Sequence, residues 1–427
     1  MNQELESLLE LASHHGASHA EVYQVTSESK PVFFEGNRLK QLESSQSVGT
    51  ALRLWQNDRP GLAVAYGKIN PELLVEKATA LAKLNNPETI ELAPPRKAIH
   101  DLGGATASVG ELVKIGEDGI NQLRAECPEL ICSAELESEQ EATTLINSQG
   151  LCCQYRESTL SYYLGVELVR GEDFLGIYDG QYSKDKLNID LVIEQIIQRL
   201  DWAKRNVAPP QGNVPILFTA NAATLLWSTV SSALNGKRIK EKSSPWSNQQ
   251  QQLVISEKVS LSQQPNKQPY NCPFDDEGMI TQELSLIDAG VLNQFYCDRT
   301  IARELDIPPT GNGFRPGLDT YPNPSLVNLI VGSGEINFSE LIAQLDKGII
   351  VDQILGGGAD ISGDFSVNVD LGYRVENGKI TGRVKDTAIA GNVYQVLKQV
   401  IALGNDSAWN GSCFTPSLIV DGVAVVG

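Results

Sequence analysis

Histidine is the scarcest reactive residue in this chain, with four among 427 positions. Three of them, His14, His15 and His19, crowd into the stretch SHHGASH, and His100 stands alone. Cysteine offers little more. The seven are odd in number and none has C-x-x-C spacing, which argues against a disulfide framework and against a Cys-rich zinc module. A reducing, cytoplasmic compartment fits that usage. No apolar run approaches the roughly 20 residues that cross a bilayer, so no membrane association is expected. The opening MNQELESLLELAS lacks a basic segment followed by an apolar one and reads as an amphipathic helix, not a signal peptide. Basic charge is short as well: 34 Lys and Arg against 53 Asp and Glu leave a net charge of −19. Such a chain repels phosphate backbones, so nucleic acid is not an expected partner. The run Lys237-Arg238-Ile239-Lys240-Glu241-Lys242 reads as a solvated face.

The rest of the composition is that of an ordinary globular protein of two to three domains, 41% hydrophobic and 20% charged. A pattern repeats with an offset of about 112 residues. Each copy opens with a helix, carried by Leu5, Leu8, Leu9 and Leu11 in the first and by Leu112, Ile115, Ile120 and Leu123 in the second. Alternating strands follow: AEVYQV, PVFFEG, RLKQLE, VGTALRLW and GLAVAYG, then ELICSAEL, ATTLIN, GLCCQY, LSYYLGVEL and FLGIYDG. Turns are expected at Gly36-Asn37 and Arg59-Pro60-Gly61. Glu35 falls opposite Asn147, Leu52 opposite Leu164 and Leu62 opposite Phe174. Asn86–Pro95 reads as a linker, and Pro209-Pro210 ends a helix expected over Ile189–Asn206. These breaks divide the chain into residues 1–208, made of units at about 1–95 and 105–208, and residues 209–427. The second part reads as mixed and strand-rich. It holds a helix over Asn221–Leu234, an exposed polar stretch from Lys237 to Gln268 and a hairpin through Asp288-Ala289-Gly290. Further strands are expected at Leu326–Val331, Ile349–Leu355, Phe365–Val375, Ile380–Lys385 and Ser417–Val426, with a helix over Val393–Leu403. Clustered strands and helices without βα alternation give an α+β class.

Candidate sites are few. His15 and His19 have the i, i+4 spacing of a two-imidazole helix face, but Gly16 and Ala17 place them at a helix end. Gly332-Ser333-Gly334 and Gly356-Gly357-Gly358 lack the companions of a phosphate loop; such a stretch reads first as a simple bend and, as a functional reading, suits close approach of another backbone. Asp275, Asp276 and Glu277 are consecutive, so their carboxylates point apart. They read as a capped turn feeding the next strand rather than as a cation site.

Four stretches together carry a resemblance that spans nearly the whole chain. They are Phe34-Glu35-Gly36-Asn37 with Val48-Gly49; Pro273–Gly278 leading into Leu286–Leu292; Thr310–Arg315; and Gly356–Gly358 with Gly363–Asn368. The chain resembles the TldD/PmbA family, whose members have been called modulators of DNA gyrase and metalloproteases. The resemblance implies two branches. TldD-like members carry a His-Glu-x-x-x-His helix that holds a catalytic metal with a late Cys, and PmbA-like (TldE) members lack it and pair with TldD. Here the matching helix is LLWSTVSSALNG. Trp227 stands at the first His position, Ser228 at the Glu and Ser232 at the second His, and only Cys413 matches the late Cys. A catalytic zinc needs about three protein ligands and a base, and this set cannot supply them. The metal-free branch is the better match. It implies a subunit without a cofactor of its own, a TldD-like partner holding zinc, small unfolded peptides as substrate, and a homodimer as a further possibility for the isolated chain. Gly356, Gly357, Gly358, Gly363, Asp364 and Phe365 are the candidates for pairing with peptide or partner backbone. The alternatives are a metallopeptidase that recruits metal through Cys413 with His15 or His19, and a gyrase-associated regulator.

Overall fold

A computed structural model describes residues 2–427. The first part runs α1 (Asn2–His14), β1 (His19–Glu35), β2 (Arg38–Leu42), β3 (Ser45–Gln56), β4 (Arg59–Tyr66) and α2 (Pro71–Ala82). It continues with β5 (Arg96–Asp101), α3 (Val109–Glu126), β6 (Ile131–Asn147), β7 (Leu151–Arg170), β8 (Asp173–Ser183) and α4 (Ile189–Trp202). Helix starts are set locally. Asn70 Oδ1 accepts the Leu73 N–H at 3.2 Å with Pro71 in the first turn, and Ser108 and Glu111 form a reciprocal capping box ahead of α3. Leu5 and Leu8 of α1 are fully buried, as their spacing predicts.

The strands β4, β3, β1, β6 and β7 lie side by side, β2 continues the line of β3 against β1, and β5 and β8 share the far edge of β7. All four helices cover one face, where Val22 and Ile146 pack under α1 and α2, and Val32 and Leu136 under α3 and α4. The duplication is written in the registers. His19 pairs with Trp55 as Ile131 pairs with Glu167, each shifted by the same offset of 112. The two copies join through β1 and β6, antiparallel, with Glu28 opposite Gln140, which are equivalent positions. A pseudo-twofold axis therefore passes between them.

Several expected boundaries move. AEVYQV and PVFFEG are one strand of 17 residues, and the second copy's pairs fuse likewise into β6 and β7. The second turn falls on Asn57-Asp58, both in the left-handed region, and Arg59–Tyr66 is strand. Gly61 is needed for a different reason: a Cβ there would sit 1.9 Å from the Ala78 carbonyl oxygen of α2. Because the hairpin arm of the second copy is longer, Leu62 is matched by Tyr178, four residues beyond Phe174. The stretch Asn86–Pro95 has no regular structure yet is clamped down, with Ala93 buried and its carbonyl bonded by Asn147.

Beyond α4, which ends at Trp202, five strands pair in a closed ring: Gly212–Phe218, Leu418–Val426, Thr387–Asn392, Asp364–Glu376 and Lys347–Leu355. Closure pairs both sides of each ring strand over at least part of its length. Asn377 and Gly378 both take positive φ, the mirror-image turn that Asn-Gly favours. A second sheet packs beside the ring, in the order Val291–Leu292, Leu284–Asp288, Leu261–Gln263, Leu329–Val331, Cys413–Thr415, Ala408–Asn410. Between ring and sheet lies α5 (Thr224–Ala233). The expected helix over Val393–Leu403 is only one turn, Val393–Val396, followed by a short 3₁₀ turn and the strand Val400–Leu403. Lys237–Gln268 is not a loose loop: Trp246, Val254, Ile255, Val259 and Leu261 bury their side chains in the core.

Candidate functional site

Helix α5 carries Trp227, Ser228 and Ser232, the positions that the resemblance sets against a metal helix, and its chemistry is that of a core. Trp227 is 1% exposed, among Leu226, Val230 and the ring strands. Its indole N–H donates to the Thr415 hydroxyl at 2.7 Å, and Thr415 in turn donates to the Pro416 carbonyl at 3.0 Å. The one polar atom of the ring is thereby satisfied in an otherwise apolar setting. Ser228 sits exposed and returns its hydroxyl to the Leu225 carbonyl at 3.1 Å, the local bond typical of a helical serine. Cys413 lies two residues before Thr415 on the same strand, so both project from one face toward α5. Burial pushes its thiol up to about 12, which disfavours the thiolate a metal requires.

The glycine loop closes the same corner. Thr229 of α5 donates its hydroxyl to the Ala359 carbonyl at 3.3 Å, next to Gly356–Gly358. Gly356 and Gly357 have positive φ, and a Cβ on Gly356 or Gly358 would meet nothing within 4 Å. Phe365 is buried in the core, and Asp364–Val369 is already paired along one side with Thr387–Asn392. On the other side the strand Lys347–Leu355 stops at Asn368, so Asp364–Val367 has no strand partner there among the described residues. Trp227, Ser228, Ser232, Cys413 and the glycine loop thus belong to one region. Thr415, which seats the indole, carries no sequence signal beyond its spacing from Cys413.

The donor set does not fit a hydrolytic metal. An indole has no lone pair to give, a neutral serine hydroxyl is a poor ligand, and neither serine can act as a base at ordinary pKa. The histidines cannot help. His15 Nε2 lies 3.3 Å from Glu72 on the surface, and His19 begins β1, so the helical i, i+4 pair does not form. His100 is exposed on β5 near Phe274. No group of three His, Cys, Asp or Glu suited to a metal occurs among the described residues.

The acidic triplet is a structural lock. Asp275 accepts the N–H groups of Glu277, Met279 and Gly313 at 3.0, 2.8 and 2.9 Å; Asp276 accepts Arg315 N–H at 2.7 Å; Glu277 accepts Arg299 N–H at 2.9 Å. Three carboxylates point three ways. Arg315 then reaches Glu21 of β1 at 2.9 Å, and Glu21 also pairs with Arg53 at 2.9 Å. Two of the stretches that carry the resemblance, Pro273–Gly278 and Thr310–Arg315, are therefore one interlock that fastens the second part of the chain onto the first sheet. Burial dominates their acidity, holding Asp276 at about 6 and Glu277 at about 7, and lifting Asp275 well above the carboxylate range with help from Glu277.

The chain is 26% identical to the "Metalloprotease PmbA homolog" of Buchnera aphidicola over 290 residues, 66% of this chain and 62% of that protein. It thus spans about three fifths of the length of that relative, and the Haemophilus influenzae homologue is matched to the same extent, 61%. Among solved structures, TldE from Thermococcus kodakarensis superposes with a TM-score of 0.92 at 24% identity over 99% of both chains. A proposed modulator of DNA gyrase from Thermotoga maritima gives 0.89 at 22% identity over 100% of both. These two likenesses speak to fold. The PmbA/TldA metallopeptidase domain 1 matches residues 20–82, and the C-terminal domain of the same family matches residues 211–427. The chain belongs to the PmbA/TldA metallopeptidase family.

Proposed function

We propose that this chain is the metal-free subunit of a two-chain peptidase of TldD–PmbA type, acting on small extended peptides in the cytoplasm. The partner, a His-Glu-x-x-x-His protein, supplies the zinc and the cut, and this chain supplies wall and backbone contacts. One observation carries the reading: the position of the first metal-binding His is a buried tryptophan, bonded through its N–H to Thr415. The open backbone at Gly356–Gly358 and the unpaired side of Asp364–Val367 are the surfaces offered to peptide or partner. The test is co-expression with a His-Glu-x-x-x-His protein. The expected outcome is co-purification at equal stoichiometry, with chelator-sensitive peptide hydrolysis only when both chains are present. Hydrolysis by this chain alone, abolished by chelator, overturns the proposal.

A further inference from the structure

The two copies of the duplication differ on the sheet face opposite the helices. In the first copy that face is covered by the second part of the chain. Ala51 and Trp55 of β3 are each 1% exposed, and Arg53 between them pairs with Glu21, which Arg315 also holds. One offset on, Tyr163 and Glu167 take the places of Ala51 and Trp55, and both are exposed. By strand pairing Tyr163, Val169, Phe174 and Tyr178 all lie on this bare face, each at least half exposed. Three glycines keep the face flat. Gly165 stands opposite Tyr178, a Cβ on Gly180 would meet Tyr163 Cδ1 at 2.3 Å, and one on Gly176 would meet the Phe174 ring at 3.5 Å. The Tyr163 and Phe174 rings thus lie across the sheet, and such an exposed apolar patch marks a docking surface. It runs into the glycine loop: Gln353 Oε1 accepts the Tyr178 N–H at 3.1 Å and its Nε2 donates to the Gly176 carbonyl at 3.4 Å, three residues before Gly356.

Charge defines the occupant. Glu135, Glu137, Glu139, Glu141, Glu157 and Glu167 share this face, and no Lys or Arg of β6, β7 or β8 does. Lys184, just past β8, is already taken by Glu157 and Asn271, each at 2.5 Å. Lys267 of the second part sits over the Phe414 ring, three aromatic contacts away from Tyr182. Ser27 and Ser29 of β1 donate to Glu139 and Glu137. Burial, and then the Glu139 and Glu157 carboxylates, push Glu141 up to about 7. Glu135 stands opposite Tyr163 and Glu167 opposite Ile131, and neither has a hydrogen-bond or ion-pair partner among the described residues. We propose that the bare face of β6–β8 docks an extended peptide bearing Lys or Arg, with its cations over the Tyr163 ring and against Glu135 and Glu167. An exposed ring beside a free carboxylate attracts a cation in both ways. Naming cationic peptides as the substrate class rests on the two-chain peptidase proposed above. A second copy presenting this face would set carboxylates against carboxylates, so the docked segment comes from elsewhere.

The test is fluorescence anisotropy of two labelled, unstructured peptides of equal length added to the full-length chain, one alternating Arg with Gly and the other Glu with Gly. The Arg peptide is expected to bind about tenfold tighter or more, with a margin that shrinks as salt rises. Glu135→Gln with Glu167→Gln weakens it about fivefold, and Tyr163→Ala with Tyr178→Ala about tenfold, at unchanged circular dichroism because all four side chains are exposed. Glu6→Gln with Glu10→Gln, the same change of net charge on exposed positions of α1, leaves the affinity as it was. Equal affinity for the two peptides, or equal weakening by the α1 pair, overturns the proposal. Self-association of the chain that is lost in Tyr163→Ala with Tyr178→Ala assigns the face to a second copy, and peptide binding that vanishes once a His-Glu-x-x-x-His partner is bound assigns it to that partner; either overturns the proposal. Hydrolysis by the two chains together without preference for the Arg peptide overturns cationic selection and leaves the peptidase standing. Binding of the Arg peptide to a pair that hydrolyses neither peptide overturns the peptidase and leaves the docking face.

Discussion

Replacing Trp227 by alanine tests whether this corner is core or a site. The side chain is 1% exposed and lies within the largest buried cluster, so truncation removes an entire indole from a packed interior. Large-to-small changes of this kind cost about 3–5 kcal/mol, of which the N–H bond to Thr415 accounts for about 1 kcal/mol. Thr415 itself stays satisfied, because its hydroxyl donates to Pro416. Trp227→Phe keeps most of the ring volume, loses the N–H donor and is expected to cost about 1–2 kcal/mol. The assay is urea unfolding followed by far-ultraviolet circular dichroism, comparing midpoints at unchanged slope. A loss below about 1 kcal/mol for Trp227→Ala would mean that the corner is loosely packed and able to admit a ligand, and the argument from Trp227 would fail.

Four other outcomes follow from the structure. Gly61→Ala drives a methyl into the Ala78 carbonyl and is expected to destabilise by about 1–3 kcal/mol, read as a lowered urea midpoint. The thiol of Cys413, raised to about 12, is expected to alkylate far more slowly at pH 8 than an unstructured cysteine, as followed by mass spectrometry of the labelled peptide. Asp276 and Glu277 titrate higher folded, at about 6 and 7, than unfolded near 4, so the folded state binds more protons in between. Their contribution to stability is full below about pH 4 and is lost as pH rises through about 7, and Glu277→Gln should flatten the dependence of melting temperature on pH over that window. Finally, the triple change Trp227→His, Ser228→Glu, Ser232→His is expected to give a zinc-binding chain with Cys413 as the third ligand, seen as retained metal after dialysis.

Much of the first part was legible because its turns and periods are local. The 112-residue offset survives in the structure as equal registers on both sides of a pseudo-twofold axis. The long strands were read as pairs of short ones because their middles, such as Ser27–Lys30, lie where neither face is fully covered and the alternation of apolar residues lapses. β5 was missed for a related reason, since most of its side chains are exposed and its pairing is set by β7, more than fifty residues away. Lys237–Gln268 looked loose because its five anchoring residues are irregularly spaced in a polar background. The capped turn at Asp275–Glu277 was legible from adjacency alone. Its burial was not, because the partners are the N–H groups of Arg299, Gly313 and Arg315, the last of which is held by Glu21 across the interface. The chemical emptiness of α5 could be read directly, since Trp and Ser cannot do what His and Glu do in any fold. That the indole is seated on Thr415 needed the structure.

Zinc content of the isolated chain is the most direct measurement. The protein is loaded with excess zinc, dialysed extensively and analysed by plasma mass spectrometry alongside an equimolar complex with a His-Glu-x-x-x-His partner. The account predicts no retained zinc in the isolated chain and one zinc per pair in the complex. One zinc retained per isolated chain, lost on Cys413→Ala, contradicts it.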